Sequence, residues 1–325
     1  MNVGTIGTGQ ITSWFLSCWI EAGHSCHAVY SRSFEKGEQL REKFQGNIVY
    51  TDLDQMMADE RIEVVYIASP NSLHFSHAKK ALLAGKHVIL EKPFTSTLEE
   101  CEELIQIAKN RALFLMEGIT VVDLPHLKLI AEWMPRIMPI HMVVSNMSKV
   151  SSKYQSYLKG EKPNVFQCQY SGGALMDLNV YNLHFMTTMF DMPTSIAYHA
   201  NIKDGIDFSG CAILQYETMT GVCIAAKDSQ VNSFVQIQGE KGMIQIDSDA
   251  ATLSKVSLCL LDGTKESCQQ QDHILTHYYY IKQFVRMVEE HDHHACIRRL
   301  QHTKDVMSLL VQARAYAGIV FEADQ

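Results

Sequence analysis

No C-x-x-C pair occurs among the nine cysteines, which are scattered from Cys18 to Cys296. A structural zinc site or a secreted disulfide scaffold needs paired spacing, so neither is expected, and reduced thiols in a cytoplasmic protein are. Basic residues are not in excess either. Lys and Arg number 28 against 36 Asp and Glu, and the net charge of −8 is spread along the chain rather than gathered in blocks. That pattern excludes nucleic acid and anionic membrane as main partners. The longest apolar-looking run near the start, ITSWFLSCWI, is about half of the roughly 20 residues a membrane span requires. A strand begins at once without a charged leader, so no signal peptide is expected. Internal repeats and low-complexity linkers are also missing.

What is there suits a soluble protein with two cores. At 325 residues, 46% of them hydrophobic, the chain is long for one domain. Residues 1–118 alternate short β-branched or apolar runs (NVGTIG, CHAVYS, NIVY, EVVYIAS, KHVIL, LFLME) with longer helical patterns. Val64 to Ala68 show no polar alternation, as a strand covered on both faces should. Gly85 is placed to close one helix, and TLEECEELIQIAKNRA carries acids in its first turn and bases in its last. This order predicts a Rossmann-type doubly wound parallel sheet with right-handed crossovers. Residues 119–325 read differently: two helical segments, several β-like runs with hairpin turns at 216–221 and 239–242, then two closing helices. An α+β domain with an open, mostly antiparallel sheet is predicted there.

Between the first strand and first helix stands Gly7-x-Gly9. Glycine permits the tight turn and lets a pyrophosphate approach the helix N-terminus, where free N–H groups favour anions. Thr12 occupies the third position of G-x-G-x-x-G, a position that serves helix–strand packing more than phosphate contact. At the end of the second strand, where an acid would bind the ribose of NAD, the chain has Ser31, Arg32 and Ser33, with no carboxylate before Glu35. Arginine can clamp a 2′-phosphate, so NADP(H) is preferred over NAD(H), which stays possible.

One stretch sets the chemistry. KHVILEKPFTS opens as a buried strand and then places Glu91 and Lys92 at its mouth, with Pro93 locking the backbone. With its neighbours, VYIASPNSLHFSHAKKALLAGKHVILEKPFTSTLEE resembles the long signature of the Gfo/Idh/MocA oxidoreductases, the glucose–fructose oxidoreductase and inositol dehydrogenase group. GGALMDLNVYNLHF is similar to that family's second-domain helix, and VQIQGEKGMIQI to its late hairpin.

The resemblance implies hydride transfer between a nicotinamide and a secondary alcohol or carbonyl of a sugar, cyclitol or cyclic diol. By the same resemblance Gly7, Thr8, Gly9, Gln10 and Ile11 would hold the pyrophosphate, and Ser31 and Arg32 would meet the adenosine ribose. Ser69, Pro70, Asn71 and His74 would line the cofactor, Glu91 would contact its nicotinamide half, and Lys92 would be the catalytic lysine. Asp177 and Tyr181 would complete the active site. Tyr181 stands where many relatives carry histidine, although the dihydrodiol-dehydrogenase-like branch also uses tyrosine there, and Asn179 replaces a usual glycine. The run Val121-Val122-Asp123 also departs from the aromatic and basic residues common there.

The residues fit this chemistry on their own terms. Oxidising an alcohol needs a base for the hydroxyl proton, and a partly desolvated lysine can serve. Asp177 and Tyr181, four apart, are expected to share a helix face. A phenol could instead be a core aromatic, and His184, one turn further, reads as a buried histidine. His291, His293 and His294 read as a polar inter-helix loop rather than a metal site. The stripe Trp14, Phe15, Cys18, Trp19 reads as core. A non-catalytic cofactor-binding sensor of the same fold is the alternative function. The open sheet would leave an apolar face, which predicts a homodimer or dimer-based oligomer acting on a small polyol or sugar-like molecule.

Overall fold

The computed structural model describes residues 1–269, 273 and 275–325. It divides into two compact units, Met1–Ile119 with His277–Lys304, and Thr120–Thr276 with Asp305–Gln325.

In the first unit the elements follow in order: β1 (Asn2–Ile6), α1 (Gln10–Glu21), β2 (Ser25–Tyr30), α2 (Phe34–Lys43), β3 (Ile48–Tyr50), α3 (Leu53–Met57), β4 (Val64–Ile67), α4 (His74–Leu83), β5 (His87–Glu91), α5 (Leu98–Asn110) and β6 (Leu115–Gly118). The six strands form one parallel sheet in the order β3-β2-β1-β4-β5-β6. That order reverses between β1 and β4, and ligands of open α/β sheets bind outside the strand ends at such a reversal. Val64 to Ile67 are all fully buried, as their unbroken apolar run requires. Gly85, at φ +77°, ends α4 where its lack of a side chain makes the left-handed turn cheap. Thr97 and Glu100 close a reciprocal capping box at the start of α5, so two orphan amides there are satisfied by side chains.

The second unit holds α6 (His126–Ile137), β7 (Ile140–Ser148), α7 (Tyr154–Leu158) and a single π-helical turn, Leu175–Asn179, that runs into α8 (Val180–Phe190). Then come β8 (Ser195–Lys203), β9 (Ile206–Gln215), β10 (Thr220–Ala226), β11 (Phe234–Gly239), β12 (Gly242–Ile246), β13 (Val256–Leu260) and β14 (Lys265–Cys268). These strands make an eight-stranded sheet in the order β14-β13-β12-β11-β7-β10-β9-β8. All its pairs are antiparallel except β7 with β10, which is parallel. Both expected hairpins are present, β9–β10 and β11–β12. The central strand β7 is one the sequence reading passed over, because IHMVVSNMS interrupts its apolar pattern.

Two helices remain, α9 (His277–Glu289) in the first unit and α10 (His293–Ala317), whose residues divide between the two. The helix α10 begins at His293, so the expected polar loop shrinks: His293 and His294 are helical, and His291 takes the turn at φ +53°. Phe15, Cys18 and Trp19 are fully buried, whereas Trp14 is 42% exposed and sits at the rim beside His277. Among the described residues no helix is long and apolar enough to cross a membrane. Thr97→Ala is expected to lower the unfolding free energy by about 1 kcal/mol through loss of the α5 cap, measured by urea unfolding.

Candidate active site

At the carboxyl end of β1 the backbone passes very close to the end of β4. A side chain on Gly7 would lie 2.5 Å from the Ala68 carbonyl oxygen, and its φ of +113° is itself a glycine conformation. Beside this turn opens a cavity of ≈ 330 Å³. Six of the expected cofactor residues line it: Gly7, Thr8, Ser31, Arg32, Ser69 and Pro70. Gly9, Gln10 and Ile11 lie at the N-terminus of α1, with Gly9 at the cap position and nothing within 4 Å of where its side chain would be. That open N-terminus can accept an anionic group. Thr12 is fully buried, in keeping with a packing role.

The β2 end is built around hydroxyls. Buried Ser31 accepts the Ser33 amide at its Oγ (3.2 Å), and the Ser33 Oγ accepts the Lys36 amide (3.4 Å), capping α2. Arg32 and Lys36 are exposed at the cavity wall, and none of the lining residues is acidic. Across the cavity stands His77, whose Nδ1 lies 3.1 Å from the Ser69 Oγ. Burial pushes its pKa down to about 4, helped by His74, Lys80 and Arg32, so its ring is neutral at physiological pH. His74 does not line the cavity. It is buried behind it, with Nδ1 2.9 Å from the Pro93 carbonyl and Nε2 3.0 Å from the Ser69 carbonyl, tying together the loops after β4 and β5. Asn71 and Glu91 also lie outside the lining.

At the end of β5, Glu91 is buried and Lys92 half-buried, and the Lys92–Pro93 bond is cis. The Tyr66 hydroxyl donates to the Glu91 Oε1 at 2.7 Å, and the Tyr66 ring stacks on Phe15 with centroids 3.7 Å apart. Burial pushes the Glu91 carboxyl up to about 7, against the Tyr66 bond and the Lys92 charge, which pull it down. On the other side, burial and the charge of Lys92 push His277 down to about 4.

In the second unit Asp177 lies within the π-helical turn and Tyr181 in the first turn of α8, both partly exposed. The turn is tied to the sheet by a buried amide ladder. Asn179 donates to the Cys223 carbonyl (3.0 Å), Asn182 donates to Asn179 (2.7 Å), and Ser145 donates to Asn182 (2.7 Å). Here Asn179, in the place of the expected glycine, has a structural use. Asp177 accepts a bond from Lys227 at 2.6 Å.

Lys36, His77 and Lys227 were not among the site residues expected from the sequence. His77 had a signal, since it stands one helical turn beyond His74. Lys227 follows the apolar run GVCIAA much as Lys92 follows HVILE.

Glu91 offers a pH-dependent measurement. Its carboxyl is raised in the folded protein, so its contribution to stability is complete below about pH 4.5 and is lost as pH rises toward 7. Glu91→Gln is expected to match wild type near pH 4. By pH 8 it should exceed wild type by roughly 3 kcal/mol, read from urea unfolding across that range. A stability difference that does not vary with pH would contradict the burial cause.

Residues 1–119 match the oxidoreductase family with an NAD-binding Rossmann fold, GFO_IDH_MocA, and residues 141–245 match the GFO/IDH/MocA C-terminal domain. The chain is 32% identical over its whole length to the uncharacterized oxidoreductase YgjR of Escherichia coli (strain K12), covering 98% of that protein. It is 31% identical to the scyllo-inositol 2-dehydrogenase (NADP(+)) IolU of Bacillus subtilis (strain 168), over 98% of each chain. Among solved structures, the 3-ketoreductase KijD10 of Actinomadura kijaniata with NADP and TDP-benzene superposes with a TM-score of 0.84 at 20% identity, over 97% of both chains, a likeness of fold. With a glycine turn shaped for a dinucleotide, a lysine at the β5 end and this match across both parts, the chain belongs to the Gfo/Idh/MocA family of NAD(P)-dependent oxidoreductases.

Proposed function

We propose that this enzyme prefers NADP(H) and moves a hydride between it and a secondary alcohol or carbonyl of a sugar, cyclitol or cyclic diol. The observation that carries the cofactor choice is the cavity wall after β2, where Ser31, Arg32, Ser33 and Lys36 supply hydroxyls and cations and no acid is present. A 2′-phosphate fits such a wall, whereas a bare ribose pair calls for a carboxylate. Gly7 and the open α1 N-terminus fit the pyrophosphate. The relatives IolU and the D-xylose 1-dehydrogenase of Hypocrea jecorina are both named for NADP(+), which supports the same reading.

When bound, the nicotinamide ring supplies the hydride acceptor or donor at C4. The protein's part is protons and orientation. Lys92 takes the hydroxyl proton during oxidation and returns it during reduction. Glu91, whose carboxyl burial raises to about 7, holds the strand end by its Tyr66 bond, and contact with the nicotinamide half is the role assigned to it in this proposal. Asp177 accepts a hydrogen bond from a substrate hydroxyl, and Tyr181 assists the proton transfer.

Substrate class rests on the family and on relatives named for inositol, xylose and trans-dihydrobenzenediol. A homodimer through the open sheet is part of the proposal. Ile213, Val222 and Val144 stand side by side across β9, β10 and β7 with partly exposed side chains, an apolar row suited to a second copy. A cytoplasmic location accords with nine free thiols, five of them buried.

Lys92→Met is expected to keep NADPH affinity within about twofold while lowering kcat by about a thousandfold, followed by nicotinamide absorbance over a polyol panel. Turnover at the wild-type rate would remove Lys92 from its role. In a fluorescence titration, Arg32→Ala is expected to weaken NADPH binding by about tenfold or more and leave NADH nearly unchanged. Equal losses for both cofactors would count against a 2′-phosphate contact.

A further inference from the structure

The second unit conceals a cation. Lys227, the first residue after β10, has a side chain only 1% exposed, and a buried ammonium is costly unless paired. Its Nζ donates to the Asp177 Oδ2 at 2.6 Å, lies 3.4 Å from the Val165 carbonyl oxygen, and sits 5.2 Å from the centre of the Phe166 ring. Phe166 in turn stacks on Phe208, with centroids 4.8 Å apart, so the cation is walled by aromatic carbon.

A second carboxylate shares this field. Asp207 on β9 is 1% exposed and accepts the Leu175 amide (2.6 Å) and the Tyr198 hydroxyl (2.7 Å). It therefore caps the π-helical turn from outside, and Gly173 leaves it room, because a side chain there would collide with the Asp207 Oδ1. Burial pushes the Asp207 carboxyl up to about 6, and the charge of Lys227 draws it down. The other titratable groups on the elements packed around the turn are Cys223 on β10, Cys211 on β9, and Tyr181 and His184 on α8. β7 brings none between Met142 and Ser148.

The side chain of Asp177 remains 31% exposed. Asp177 therefore pairs with a buried cation while its side chain stays partly open to solvent. We propose that Lys227 is a positioning residue for Asp177, holding that partly exposed carboxylate ionised and oriented to accept a substrate hydroxyl. This inference rests on the function proposed above. The helix N-terminus also favours an anion at this point, but that effect is weaker than a desolvated, charge-assisted hydrogen bond. Lys227 touches neither substrate nor cofactor in this role. It acts through Asp177 alone.

Lys227→Gln keeps a donor and removes the charge. It is expected to lower kcat at neutral pH by about tenfold or more, with the KM for NADPH within about twofold. The acidic limb of the kcat/KM profile should move up by about one pH unit, since a carboxylate without its cation protonates more readily. In an Asp177→Asn background the same change should add less than about twofold, because the partner it serves is gone. A wild-type kcat and an unmoved acidic limb in Lys227→Gln, or an equal further loss in the Asp177→Asn background, overturns the assignment.

If Lys227→Gln does not fold, recovery of folding in the double variant supports the pairing, and a double variant equally unfolded overturns it. A wild-type enzyme without turnover on any polyol instead defeats the proposed function. The pairing is then read by thermal unfolding of the two single variants and the double, where additive changes in Tm overturn it.

Discussion

Backbone packed on backbone is the constraint from which the first unit is organised. Where β1 and β4 end, the chain at Gly7 comes so near the Ala68 carbonyl that no side chain fits between them. The parallel pairing of Val3–Ile6 with Val64–Ile67 brings those two ends together, and the reversal of strand order at the same point leaves space beyond them. The cavity beside β2 exists because a turn without a side chain stands at its edge. Everything proposed for the cofactor, from the α1 N-terminus to the hydroxyls of Ser31 and Ser33, is arranged around that gap.

Each unit also carries ionisable groups out of water, and each compensates differently. Glu91 is held by one phenol and one amide and is raised toward neutrality, so burial prevails over its partners. Lys227 is buried with Asp177 directly on its ammonium and Asp207 close enough to feel its charge. A lone buried charge would neutralise, whereas a paired one can stay charged if its hydrogen bonds are complete. The same physical cost thus yields a carboxyl raised to about 7 at the end of β5 and an ion pair beside the π-helical turn.

Much of the first unit was legible because its signals are local. Unbroken apolar runs mark buried parallel strands, Gly85 marks a helix end, and Gly7-x-Gly9 marks the phosphate turn. The strand β7 was not, since its polar residues face partners contributed from elsewhere: Ser145 meets Asn182, sequence-distant on α8. Trp14 carried a misleading signal. Its helical spacing matches the buried stripe, but it lies at the rim and stays 42% exposed. His74 and His77 show the same limit, as both sit on one helix and only the fold decides which ring reaches the cavity.

The sequence by itself determined the parallel Rossmann sheet, the glycine turn, and the lysine at the end of β5. These depend on periodicity, on backbone freedom and on residues adjacent in the chain. Only the tertiary structure decided that Lys227, Asp207 and Asp177 share one charge cluster, and that Lys36 and His77 join the cavity wall. The charge cluster joins residues 50 positions apart, and the cavity wall joins Gly7 to His77. Their meaning comes from desolvation and from distances of a few ångströms, which appear only once the strands have paired.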